Sequence, residues 1–141
     1  MFSKEIESAR LLAERQHQGQ VDKAGMPYIS HPSRVAERMK TPEEKVVGWL
    51  HDTVEDTGLS LSDIEQQFGP ETADAVDAIS RREGEPWEEY LQRVKLNPIA
   101  RSVKISDLID NSNLSRLECI TMKDVKRQEK YYLALQFLLS D

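Results

Sequence analysis

Apolar residues recur every three or four positions along nearly the whole of this chain, and no stretch of useful length alternates apolar with polar. That is the period of an α-helix turning one face to a core, and it leaves little room for a sheet. Phe2, Ile6, Ala9, Leu12 and Ala13 give a first helix over residues 3–17. Pro32, Pro42, Pro86 and Pro98 each stand where a helix opens, a place where the missing N–H has no partner anyway. Thr41-Pro42-Glu43-Glu44 reads as a cap, a proline and an acidic first turn. Gly58 breaks the chain after an acidic pair, and Gly69-Pro70 ends a short helix. Further helices are predicted over 32–40, 60–68, 71–80, 86–96, 98–113 and 123–139, the last with Val125, Tyr132, Leu135 and Leu139 as its apolar stripe. The expected fold class is all-α, a compact single-domain bundle of about seven or eight helices over residues 1–141.

A chain of 141 residues is long enough to bury a real core. Its formal net charge of −6 argues against a diffuse basic surface, so a nucleic acid polymer is not an expected partner. An anionic nucleotide remains open, provided a metal and local Lys or Arg supply the positive field. The lone cysteine, Cys119, excludes an internal disulfide framework and fits a reducing compartment. The N-terminus lacks an apolar signal region, and no apolar run approaches membrane-spanning length. The expectation is therefore a cytoplasmic protein with no membrane partner. The last helix carries Tyr131, Tyr132, Phe137 and Leu138 besides its stripe. A homodimer contact and full burial would each explain apolar residues on more than one side.

Chemistry concentrates at His51-Asp52-Thr53-Val54-Glu55-Asp56. If this segment is helical, His51 and Glu55 share one face, and Asp52 and Asp56 share the next. Four polar groups then crowd the end of a helix whose earlier residues, Val46, Val47, Trp49 and Leu50, are apolar. A divalent metal is the most economical way to offset that charge. Alone, His51-Asp52 reads equally well as a helix-terminal histidine beside a solvated aspartate. Two companions change the balance: His31 in Pro27-Tyr28-Ile29-Ser30-His31-Pro32, and Asp107 in Lys104-Ile105-Ser106-Asp107-Leu108-Ile109-Asp110-Asn111. His31, His51, Asp52 and Asp107 make two imidazoles and two carboxylates, a set suited to manganese, iron or zinc. Asp110 is a rival to Asp107, set aside because it should lie on another helical face.

The order His, His-Asp, Asp resembles the HD superfamily of metal-dependent phosphohydrolases. Longer strings narrow the likeness. Ala13 to Gln20, Gly25 to Pro32, Leu50 to Thr57 and Lys104 to Asn111 resemble the hydrolase domain of the RelA/SpoT family, in its stand-alone small form without a synthetase domain. The resemblance implies an HD-type bundle and a metal, manganese foremost, on His31, His51, Asp52 and Asp107. It implies that Glu55 and Asp56 position and deprotonate a water, and that Asn111 and Lys23 contact the nucleotide. It further implies cleavage of the 3′-pyrophosphate of ppGpp or a related nucleotide.

Other residues read more plainly. His17 reads as a core or supporting residue, and Trp49 and Trp87 as packing residues. Asp22 stands near the place of a family arginine that contacts guanine, and an aspartate can neither stack nor neutralise phosphate as guanidinium does. The region between Ser80 and Asn97 also looks shorter than in the family. Two rivals therefore stay open: an HD phosphohydrolase for another nucleotide, such as an adenine one, and a nucleotide-sensing module without turnover.

Overall fold

Side-chain caps set many of the helix boundaries. Thr41 Oγ1 accepts from the Glu44 N–H, and a Glu44 carboxylate oxygen accepts from the Thr41 N–H, each at 3.2 Å. This is the reciprocal box expected of Thr41-Pro42-Glu43-Glu44, and it satisfies two donors that an opening helix leaves unpaired. Thr121 and Asp124 repeat the device. Ser60 and Asn97 cap more simply, accepting from the N–H groups of Asp63 and Ala100.

The computed structural model describes residues 2–141, with side chains from residue 4 onward. Among the described residues there are nine helices: α1 (Phe2–Gln16), α2 (Ser30–Glu37), α3 (Pro42–Leu50), α4 (Thr53–Thr57), α5 (Leu61–Phe68), α6 (Pro70–Ile79), α7 (Trp87–Leu96), α8 (Pro98–Ser112) and α9 (Met122–Leu139). Among the described residues no strand is formed, and a single bridge between Val21 and Pro27 closes the first loop. The all-α class follows the apolar period. None of the described helices is long and apolar enough to cross a membrane.

One helix expected to be continuous is divided. The chain leaves α3 at His51 and restarts at Thr53, with Asp52 between them at φ −102° and ψ −3°. The Thr53 hydroxyl donates to the Leu50 carbonyl, tying the turn down. The turn interrupts the helix between His51 and Glu55, while the Asp56 N–H still donates to the Asp52 carbonyl at 3.0 Å. The division aims His51 and Asp52 inward and leaves the short α4 to carry Glu55 and Asp56 near the surface. Gly58 ends α4 with φ 81°, a conformation that favours glycine.

The α8 helix lies at the centre, packed against α2, α3, α6, α7 and α9. Val103 and Leu108 from α8 meet Val35, Val47, Leu50, Val76 and Val94 in a fully buried core. The same helix also buries Asp107 and Asp110, which an apolar core tolerates only when both are paired. The buried side of α9 is formed by Ala134 and Leu138 with Tyr131 beside them, whereas Tyr132 and Leu139 face solvent. The expected stripe is thus rotated: apolar residues occupy several sides of α9, and contact with α8 selects which side is covered.

The α2 and α3 helices approach closely through Gly48. A Cβ placed there would stand 2.9 Å from the Ala36 Cα, a clash with backbone that no rotamer relieves. Gly48→Ala should therefore destabilise the fold by about 1–3 kcal/mol, despite the better helix propensity of alanine. A lowered urea midpoint with an unchanged slope checks this; an unshifted midpoint would show that the two helices have room to part.

Candidate metal centre

Four side chains predicted from the sequence converge. His31 from α2, His51 at the end of α3, Asp52 from the turn and Asp107 from α8 each offer one ligand atom, and these atoms all lie within 4.8 Å of one another. His31 Nε2 is 2.8 Å from Asp107 Oδ1, and His51 Nε2 is 3.2 Å from the same oxygen. His51 Nε2 is 3.1 Å and His31 Nε2 3.7 Å from Asp52 Oδ2. The two Nε2 atoms are 3.3 Å apart. Donors sharing one ion at bond lengths of about 2.0–2.2 Å should sit about 3 Å from each other, so the spacing fits a single divalent cation.

The surroundings orient these donors. His51 Nδ1 lies 2.7 Å from the Gly48 carbonyl, which can only accept, so Nδ1 carries the hydrogen and Nε2 points into the cluster. His31 Nδ1 lies 2.6 Å from Asp110 Oδ2. The Tyr28 hydroxyl donates to Asp52 Oδ2. Lys104 Nζ donates to Asp107 Oδ2 at 2.8 Å, and Asn111 Nδ2 donates to Asp107 Oδ1 at 3.1 Å. Asp110 is a departure from expectation. It does lie off the cluster, but it is fully buried and reaches the second nitrogen of His31. Only the placement of the His31 ring between α2 and α8 brings it into play.

Burial opposes charge on all four groups, and mutual attraction outweighs it. His51 is raised well above an ordinary histidine by Asp52 and Asp107, and His31 is raised by Asp107 and Asp110. Asp107 is held well below the carboxylate range by Lys104 and both histidines, and Asp52 is lowered by His51. Tyr28 is raised by burial and by the charge of Asp52, so it remains a hydrogen-bond donor.

The other predicted residues fall into two clefts. Lys23 and Asn111 line a cavity of about 290 Å³, together with Asp22, Tyr28, Arg116, Arg127 and Tyr131. Tyr28 and Asn111 also touch Asp52 and Asp107, so this cavity opens beside the cluster. Glu55 and Asp56 line a separate, shallower cleft with Arg81 and Arg82. The Glu55 carboxylate accepts the Arg81 N–H. Partial burial raises both acids, with the charge of Asp52 adding to it. Asp22 turns inward to its own loop, one oxygen accepting from the N–H groups of Ala24 and Met26 at 2.9 and 3.0 Å. Arg116 and Arg127 supply cavity charge that the sequence reading did not assign. His17 is buried outside the cluster, its ring tilted 46° against Tyr28 at 5.0 Å between ring centres. Trp49 and Trp87 pack against the core.

The pattern of the HD domain family matches residues 9–97, a span that includes His31, His51 and Asp52. The chain belongs to the HD-domain family. Asp107 lies beyond the matched span, and the fold returns it to the other three. Among similar proteins, a GTP pyrophosphokinase of Streptomyces coelicolor is 32% identical over 140 residues, covering 90% of this chain and 16% of the relative. The bifunctional (p)ppGpp synthase/hydrolase SpoT of Escherichia coli is 39% identical over 82 residues, 55% of this chain and 12% of the relative. The chain therefore spans only a small part of these relatives' length. A solved metazoan SpoT ortholog, described as hydrolysing ppGpp, superposes with a TM-score of 0.73 at 22% identity, covering 95% of this chain and 83% of its own. It shares the fold of this HD domain.

Ligating nitrogens must be deprotonated, so a divalent ion has to displace protons from the raised histidines. Apparent affinity for zinc or manganese should rise with pH through the neutral range and fall toward acid. Calorimetric titration in buffers of different ionisation enthalpy should show proton release on binding. An affinity unchanged between about pH 6 and 8 would contradict this assignment of the charges.

Proposed function

We propose that this HD domain is a metal-dependent nucleotide phosphohydrolase, and that its substrate is ppGpp or a related nucleotide cleaved at the 3′-pyrophosphate. The observation that carries the reading is one juxtaposition. Two imidazoles and two carboxylates converge beside a cavity bearing Lys23, Arg116 and Arg127. His31, His51, Asp52 and Asp107 would hold the ion, with manganese the first metal to try. A divalent cation there supplies a water of lowered pKa and a Lewis acid for a phosphate oxygen.

The remaining chemistry belongs to the chain. Glu55 and Asp56, whose acidity is already weakened, orient the attacking water and accept its proton. Lys23, Arg116 and Arg127 neutralise phosphate charge at the cavity, where Asn111 bridges between the nucleotide and Asp107. Tyr28 holds Asp52 through the oxygen that faces the histidines, and Lys104 holds Asp107 through its other oxygen, so that neither carboxylate is free to swing. Residues 1–141 would act as one unit, since the roles fall on α2, α3, α4, α8 and the first loop.

A second reading concerns the base. Asp22 lines the cavity, and its remaining oxygen can accept from the amino group of either guanine or adenine. An adenine nucleotide with the same chemistry is therefore the rival. The test is product analysis with manganese-loaded protein, ppGpp and a panel of ordinary and cyclic nucleotides. GDP and pyrophosphate from ppGpp, absent with Asp107→Ala, support the proposal. Release from an adenine nucleotide alone supports the rival, and tight nucleotide binding without product removes both.

Two variants probe the roles. Asp107→Ala should lose bound metal and activity together. Glu55→Gln should keep metal and lose at least about a hundredfold in kcat, the contribution expected of a positioned general base. Retained turnover would take Glu55 out of the mechanism.

A further inference from the structure

Asp110 is a buried carboxylate beside the cluster that offers it no ligand atom. It is fully buried in the middle of α8, three residues after Asp107. Its Oδ2 lies 2.6 Å from His31 Nδ1 and 3.0 Å from Arg34 Nη2. Its Oδ1 accepts from Arg34 Nε at 2.6 Å, and Arg38 stands 3.5 Å from the same atom. Arg116 approaches Oδ2 at 3.7 Å and also donates to the Asp110 carbonyl at 3.3 Å. Two oxygens facing three guanidinium groups belong to an ionised carboxylate, which can only accept.

Both ring nitrogens of His31 face carboxylates, Asp110 at Nδ1 and Asp107 at Nε2. With an ion on the Nε2 side the imidazole is neutral and carries one ring hydrogen, and Asp110, which has none to give, accepts that hydrogen at Nδ1. We infer that Asp110, held by Arg34, is a positioning residue that locks His31 in the tautomer and orientation needed to bind the ion through Nε2. This rests on the metal reading of the site. Helix packing alone would not require it, because a buried ion pair adds little that an apolar pair of similar volume could not. His51 is served by a backbone carbonyl instead, so of the two imidazoles only His31 depends on a replaceable side chain for its orientation.

The substitution Asp110→Asn keeps the shape but presents an amide that can turn either its oxygen or its amino group toward Nδ1. It should weaken zinc and manganese binding by about 10–100-fold, the usual effect of losing such a partner. Arg38→Gln, which touches Asp110 only at a distance, serves as the control and should bind metal as the wild type does. Metal affinity is to be read by competition with a chromophoric chelator, per folded molecule and independently of any activity. Asp110→Asn that folds and binds metal like the wild type overturns the inference while leaving the metal site intact. Wild-type protein that binds no metal removes both. The tautomer can also be read without any variant. In long-range proton–nitrogen spectra of the zinc-loaded wild type, His31 should carry its hydrogen on Nδ1. A hydrogen on Nε2 would overturn the inference whether or not the variant folds.

Discussion

The imidazole of His31 is gripped at both nitrogens by carboxylates less than one turn apart on α8, and the rest of the centre depends on that grip. Asp107 Oδ1 at 2.8 Å and Asp110 Oδ2 at 2.6 Å hold the ring at both nitrogens, across the contact between α2 and α8. A second contact ties the same two helices: the Ser106 hydroxyl donates to the Val35 carbonyl at 3.1 Å. The α3 helix is then set by its close approach to α2 at Gly48. With both crossings set, His31 and His51 meet at 3.3 Å without any flexible loop between them. Sites held by packed helices keep their geometry better than sites held by loops, and metal ligation demands that precision.

Much of this is legible in the sequence, and the exceptions have physical causes. The three- and four-residue apolar period reports helices because burial of one face imposes it, and the Thr41 cap is a local hydrogen-bond pattern that needs no tertiary contact. The cluster residues are legible because few side chains suit a borderline metal, and His31, His51-Asp52 and Asp107 are set off from apolar neighbours. The break at Asp52 is not legible, since its backbone angles are close to helical and only the Thr53 hydroxyl marks the turn. Nor is the rotation of α9, where Tyr131 and Tyr132 are equal candidates until α8 chooses between them. Asp110 is hidden for a related reason. Helical geometry says that it points elsewhere than Asp107, and only the placement of His31 between the two shows that both serve one ring.

Local charge at the cavity runs against the charge of the whole chain. The net charge is −6, yet Lys23, Arg116 and Arg127 gather at the cavity beside the cluster. Part of this positive charge is already engaged: Arg127 pairs with Asp124, and Arg116 leans toward Asp110. Lys104 is spent on Asp107, buried and close to the faces of Trp87 and Tyr90. An acidic protein can thus accept an anion without a basic surface, because the field is local and faces a partly enclosed cavity.

The two clefts differ in the charge they present. On one side the cavity offers Lys23, Arg116 and Arg127. On the other, Arg81 and Arg82 stand around Glu55 and Asp56. Those two arginines are already engaged: the Arg81 guanidinium donates to the Glu85 carbonyl, and Arg82 pairs with Asp77. The cationic groups that face a partly enclosed space therefore lie on the Lys23 side, while the acids made weaker by burial lie in the other cleft. A carboxylate paired with those cations would cancel part of the local field, as Asp124 already does for Arg127.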